Sequence, residues 1–93
     1  LELTPPGHPE RLMRLVNLGN CLDQQFRREG VVEYLTEIIT LRRAALALTP
    51  LGHPAHFLSL VNFSNCLDQR FRREASMEDL MEAITHRRAA LKL

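Results

Sequence analysis

Two cysteines, four histidines and eleven carboxylates are the groups in this 93-residue chain that could bind a metal or move a proton. Their spacing suits neither task. His8 and His53 each precede a proline, His56 and His86 have no matching partners, and no His/Cys cluster falls at the short separations that gather ligands around one ion. Two cysteines are too few for a disulfide scaffold. Equivalent places on neighbouring helical units would hold Cys21 and Cys66 ~8–10 Å apart, beyond disulfide reach, so packed thiols are expected. No nucleophile–base–orienter set, glycine-rich phosphate loop or paired carboxylates in a plausible cleft occurs. The chain is therefore expected to be no enzyme and to carry no metal and no cofactor. What remains is hydrogen-bonding chemistry. Asn17, Asn20 and Gln24, and again Asn62, Asn65 and Gln69, carry a donor and an acceptor on each side chain.

Those six residues belong to a larger duplication. Thr4-Pro5-Pro6-Gly7-His8-Pro9 recurs as Thr49-Pro50-Leu51-Gly52-His53-Pro54, Asn20-Cys21-Leu22-Asp23-Gln24 as Asn65-Cys66-Leu67-Asp68-Gln69, and Arg42-Arg43-Ala44-Ala45-Leu46 as Arg87-Arg88-Ala89-Ala90-Leu91. Pairing residues 4–48 with 49–93 gives 28 identities in 45 positions without a gap. Chance likeness between amphipathic helices does not reach that level, and a fixed period of this length marks a repeat architecture.

Within a unit the apolar period is helical. Over residues 9–28, Leu12, Leu15, Leu18, Gly19, Leu22 and Phe26 share one face, and Pro9 suits the first turn. Gly30 marks a break. A second helix is predicted over about 32–48, with Leu35, Ile38, Ile39, Ala45, Leu46 and Leu48 on its apolar side, stopped by Thr49-Pro50 with Gly52 in the turn. The second copy offers Leu58, Leu60, Phe63, Leu67 and Phe71, then Leu80, Ala83, Ile84, Ala90 and Leu91. It has Ala75-Ser76 where the first copy has its glycine. Ser76 with Asp79 three residues on reads as a helix-starting cap. The absence of a turn glycine leaves open one long rod instead of a hairpin. No strand signal occurs. The expected fold is all-α, two helix–turn–helix hairpins (four main helices) at residues 4–48 and 49–93, with Leu1–Leu3 as the tail of a preceding repeat helix.

The spacing Leu15-x2-Leu18-Gly19-x2-Leu22, followed by Ile38-x3-Arg42-x2-Ala45-Leu46 and Pro50, resembles the tetratricopeptide (TPR) pattern. The second copy places Leu60, Phe63, Ser64, Leu67, Ala83, Arg87, Ala90 and Leu91 in the same slots. The unit is longer than the ~34 residues of the standard repeat. It resembles the long-period TPRs of kinesin light chain and, more closely, those of fungal multidomain signalling proteins, with their Gly-His-Pro linker and Asn-rich first helix. The resemblance implies an α-solenoid that works as a protein–protein interaction scaffold, its first helices lining a concave groove. It also implies that Asn17, Asn20, Gln24, Asn62, Asn65 and Gln69 face that groove and bind the main chain of a peptide or partner domain. Val16 and Val61 stand where a carboxylate-clamp lysine often occurs, which favours an internal segment over a terminal carboxylate. The alternative for these asparagines is solvation, or bonding across repeats.

Charge narrows the partners. Twelve Lys+Arg against eleven Asp+Glu leave +1, and Arg27-Arg28, Arg42-Arg43, Arg72-Arg73 and Arg87-Arg88 are compensated by Glu29, Glu33, Glu37, Glu74, Glu78, Glu82 and Asp79. Solvated faces with ion pairs between helices are expected, not a nucleic-acid surface. Arg42 and Arg87 occupy places that are usually apolar, so their stems should pack and their heads should reach a carboxylate, Asp23 or Asp68. The longest apolar run, Ala44 to Leu48, is far below the ~20 residues that span a bilayer. With no secretory leader pattern, no membrane partner and a cytoplasmic location are expected. A second function class is self-association. Two repeats leave both ends of a stack open and neither terminal helix carries a polar capping face, so a homo-oligomer formed by end-to-end stacking or hairpin swapping is expected of the isolated chain.

Overall fold

The computed structural model describes residues 9–92 and contains four helices: α1 (Pro9–Glu29), α2 (Glu33–Ala47), α3 (His56–Glu74) and α4 (Met77–Leu91). They pack in chain order, α1 on α2, α2 on α3 and α3 on α4. The result is two helix pairs, one from each copy of the sequence repeat. Bounds agree with the apolar periodicity to within one or two residues. Leu1–Leu3 and the first Thr-Pro-Pro-Gly-His linker lie outside the described residues. Among those described, no helix is long and apolar enough to cross a membrane.

The two hairpin turns are built alike despite their different residues. Gly30 takes φ 71° and its N–H donates to the Phe26 carbonyl at 2.7 Å. Ala75 takes φ 57° and its N–H donates to the Phe71 carbonyl at 2.7 Å. The chain therefore reverses at Ala75 and the long rod does not form, because Ser76 caps the next helix by accepting the Asp79 N–H at 3.4 Å. A left-handed alanine carries a Cβ penalty that glycine lacks. Ala75→Gly is accordingly expected to stabilise the chain by about 1 kcal/mol, read as a higher urea midpoint at unchanged slope.

The linker between the pairs uses its polar residues internally. Thr49 is fully buried and its Oγ1 donates to the Ala45 carbonyl at 3.1 Å. His56 Nδ1 bonds the Thr49 carbonyl at 2.6 Å, and His53 Nδ1 accepts the Ala55 N–H at 2.9 Å. Gly52 sits at φ 95° in the same turn. These histidines hold a corner.

The core lies along the α2–α3 seam, with Leu35, Ile38 and Ile39 from α2, Phe63, Cys66 and Leu67 from α3, Phe26 from α1 and Ala83 from α4. Four residues expected on packed faces are exposed instead: Leu18, Leu58, Ile84 and Leu91. For Leu18 on α1 and for Ile84 and Leu91 on α4 the reason is position in the stack: helices α2 and α3 each have neighbours on two sides, whereas α1 and α4 have one. Leu58, in the first turn of α3, is exposed although its helix has two neighbours.

Candidate functional site

Asn20 on α1 and Asn65 on α3 make the same contact in their own hairpins. Arg42 Nη2 donates to Asn20 Oδ1 at 2.9 Å, and Arg87 Nη2 donates to Asn65 Oδ1 at 3.1 Å. The arginine heads thus reach an amide and not Asp23 or Asp68. Those carboxylates are taken within their own helices, Asp23 by Arg27 at 2.9 Å and Asp68 by Arg72 at 3.0 Å. Gly19 makes room for this arrangement. A Cβ there would lie 3.0 Å from Arg42 Nη1 and 3.1 Å from its Cζ, so the small residue admits a guanidinium rather than a second helix backbone. In the second copy Ser64 fills that place, fully buried, its Oγ donating to the Leu60 carbonyl at 2.8 Å.

The arginine bond sets what each asparagine can offer. With Oδ1 occupied, the free group on Asn20 and Asn65 is the Nδ2 amide, a donor. Both side chains are otherwise exposed. Arg42 itself is buried to 8% exposure, the Asp23 carboxylate that shares its cleft is held by Arg27, and Arg42 Nη1 has no hydrogen-bond partner. A cation held in low dielectric beside neutral amides attracts acceptor oxygens.

Three of the six predicted residues meet in one place. Asn62, Asn65 and Gln69 from α3 line a cleft of about 80 Å³ with Asp23 and Arg27 from α1 and Arg42 and Ile38 from α2. Asn20 joins through its bond to Arg42. Asn17 and Gln24 are exposed on α1 and do not line the cleft. Gln69 Oε1 is buried without a partner.

Two ion pairs form between helices, as the charge pattern leads one to expect, and the first of them is buried instead of solvated. Asp79 is buried to 3% exposure and accepts from Arg70 Nε at 2.7 Å and Nη2 at 2.8 Å. The Arg70 hydrogen bonds hold the Asp79 carboxyl below its ordinary range against the opposing effect of burial, and the same contact raises Arg70. Arg43 Nη1 donates to Glu82 Oε2 at 2.8 Å, joining the two hairpins, and its guanidinium lies 4.9 Å from the Phe63 ring centre. The signal for the first pair is in the repeat: Arg70 and Asp79 replace Gln25 and Tyr34, two neutral residues changed together to opposite charges.

The cysteines differ although their sequence context is the same. Cys66 is buried, as expected for a packed thiol, and Cys21 is exposed. Burial pushes the Cys66 thiol up to about 12, so it stays protonated and inert at neutral pH. Among the described residues no group of three His, Cys, Asp or Glu side chains could hold a metal ion. No family model, curated protein or solved structure matches the chain.

Proposed function

We propose that the chain is a TPR-like protein-interaction scaffold, its hairpins serving as consecutive units of an α-solenoid, and that the asparagine-bearing side of α1 and α3 binds an extended peptide segment. The observation that carries the reading is the bond made twice, Arg42 to Asn20 and Arg87 to Asn65. Each repeat thereby holds one amide with its donor outward, and two such donors on adjacent first helices suit the carbonyl oxygens of a peptide main chain. Recognition of this kind asks little of the ligand's side chains. The electropositive floor supplied by Arg42 favours the same acceptors.

The test is an array of extended peptides probed with the 93-residue chain and with Asn20→Asp and Asn65→Asp. Aspartate keeps the acceptor that the arginine uses, and strengthens that contact with a charge, while it removes the outward donor. Each variant is expected to keep its melting temperature and to lose about tenfold in affinity for retained peptides, the worth of about one hydrogen bond. Wild-type affinity in both variants would overturn the groove, as would an array on which no peptide is retained by the wild-type chain.

A further inference from the structure

We propose that copies of this chain join head to tail, the outer face of α4 in one copy receiving the outer face of α1 in the next in the way α2 receives α3 within the chain. This reading does not depend on the groove. It follows from the exposure of equivalent residues. On α3, Phe63 is 1% exposed and Cys66 is buried against α2, whereas their counterparts on α1, Leu18 and Cys21, lie open, Leu18 at 48%. On α2, Ile39 is 3% exposed beneath α3, whereas its counterpart on α4, Ile84, is 36% exposed, and Leu91 reaches 86%. Part of the internal seam is thus presented again at each end, Leu18 and Cys21 on α1 and Ile84 and Leu91 on α4. Each end carries a part of the seam that the other lacks.

Charge fits the same register. Arg43 reaches across the hairpin boundary to Glu82 at 2.8 Å. Shifted by one repeat, that bond joins Arg88 of one copy to Glu37 of the next, and both residues are exposed. Arg43 also covers the Phe63 ring; in the shifted register Arg88 would cover Leu18. A contact that pairs two different surfaces leaves a free surface at each end, so it builds open arrays and not a closed dimer.

Sedimentation equilibrium of the 93-residue chain tests the proposal. The weight-average mass should rise from 10.7 kDa continuously with concentration, with no plateau at the dimer. Arg88→Glu and Glu37→Arg, each on an exposed position, should weaken association by roughly tenfold or more, since each sets like charges face to face. Mixing the two single variants, or combining both changes in one chain, should restore it. Iodoacetamide labelling of Cys21 should slow as the wild-type concentration rises and stay fast in Arg88→Glu. A monomer at every concentration would overturn the proposal. So would a dimer plateau indifferent to the charge reversals, which is the outcome of hairpin exchange. Rising mass with Cys21 labelling unchanged would place the contact on another face and overturn it equally.

Discussion

Phe63→Ala is expected to cost about 3–5 kcal/mol, whereas Leu18→Ala, at the equivalent position of the first copy, should cost under about 1 kcal/mol. The difference comes from neighbours, not from sequence context. Phe63 is enclosed between α2 and α4, with the Arg43 guanidinium 4.9 Å from its ring centre and the His86 ring 5.0 Å away, so truncation leaves a cavity and strips two ring contacts. Leu18 has one side open, and its removal leaves no enclosed void. In a domain of this size, about 5–10 kcal/mol of total stability is available, so Phe63→Ala should remove a large fraction of it. Phe63→Leu, which gives the second copy the first copy's residue, should cost under about 1.5 kcal/mol and isolates the ring contacts from volume. Urea titrations of the dilute monomer measure all three. Equal losses at positions 18 and 63 would contradict the packing order of the helices.

The hairpins were legible because a gapless offset of 45 repeats the apolar period, the turn and the cap together. Legibility ended where burial depends on who stands next door. Leu18 and Phe63, or Cys21 and Cys66, have the same local signal, and only the number of packed neighbours separates them. The arginine heads reach amides instead of carboxylates for a related reason. Asn20 and Asp23 lie three residues apart on one helix face, both within reach of Arg42 by spacing alone. Asp23 is claimed by Arg27 four residues on, an intrahelical pair that forms at little entropic cost, and the amide is left for Arg42. The candidate cleft is legible in part: Asn62, Asn65 and Gln69 stand at i, i+3 and i+7, share one face of α3 and meet in the cleft. The equivalent Asn17 and Gln24 do not line it, since a cleft between α1 and α3 takes its walls from opposite flanks of the two helices. Ala75 was hard to read because alanine seldom takes a left-handed turn; here the Ser76 cap and the chain reversal together overrule its preference.

Asp79→Asn should cost about 2–3 kcal/mol at pH 7, and the cost should shrink as the solution is acidified. Asp79 is buried and bidentate to Arg70, whose side chain is 24% exposed, so the variant leaves a largely desolvated guanidinium facing a neutral amide. The folded carboxyl has a lowered proton affinity, so as pH falls the unfolded chain takes up this proton first. The pair's contribution is therefore full above the unfolded aspartate value of ~3.9 and is lost as pH drops through the lowered folded value. Wild type and Asp79→Asn should differ most near neutrality and converge below that range. The first copy supplies an internal control, because it closes the same turn with Gln25 and Tyr34, where Tyr34 Oη donates to Glu29 at 3.2 Å. Placing both residues together, as Arg70→Gln with Asp79→Tyr, should be less destabilising than the sum of the single changes, since only the singles strand a buried charge. Additive losses, or a wild-type difference from Asp79→Asn that persists unchanged at low pH, would remove the pair as the clamp between α3 and α4 and leave the Ser76 cap to hold that turn alone.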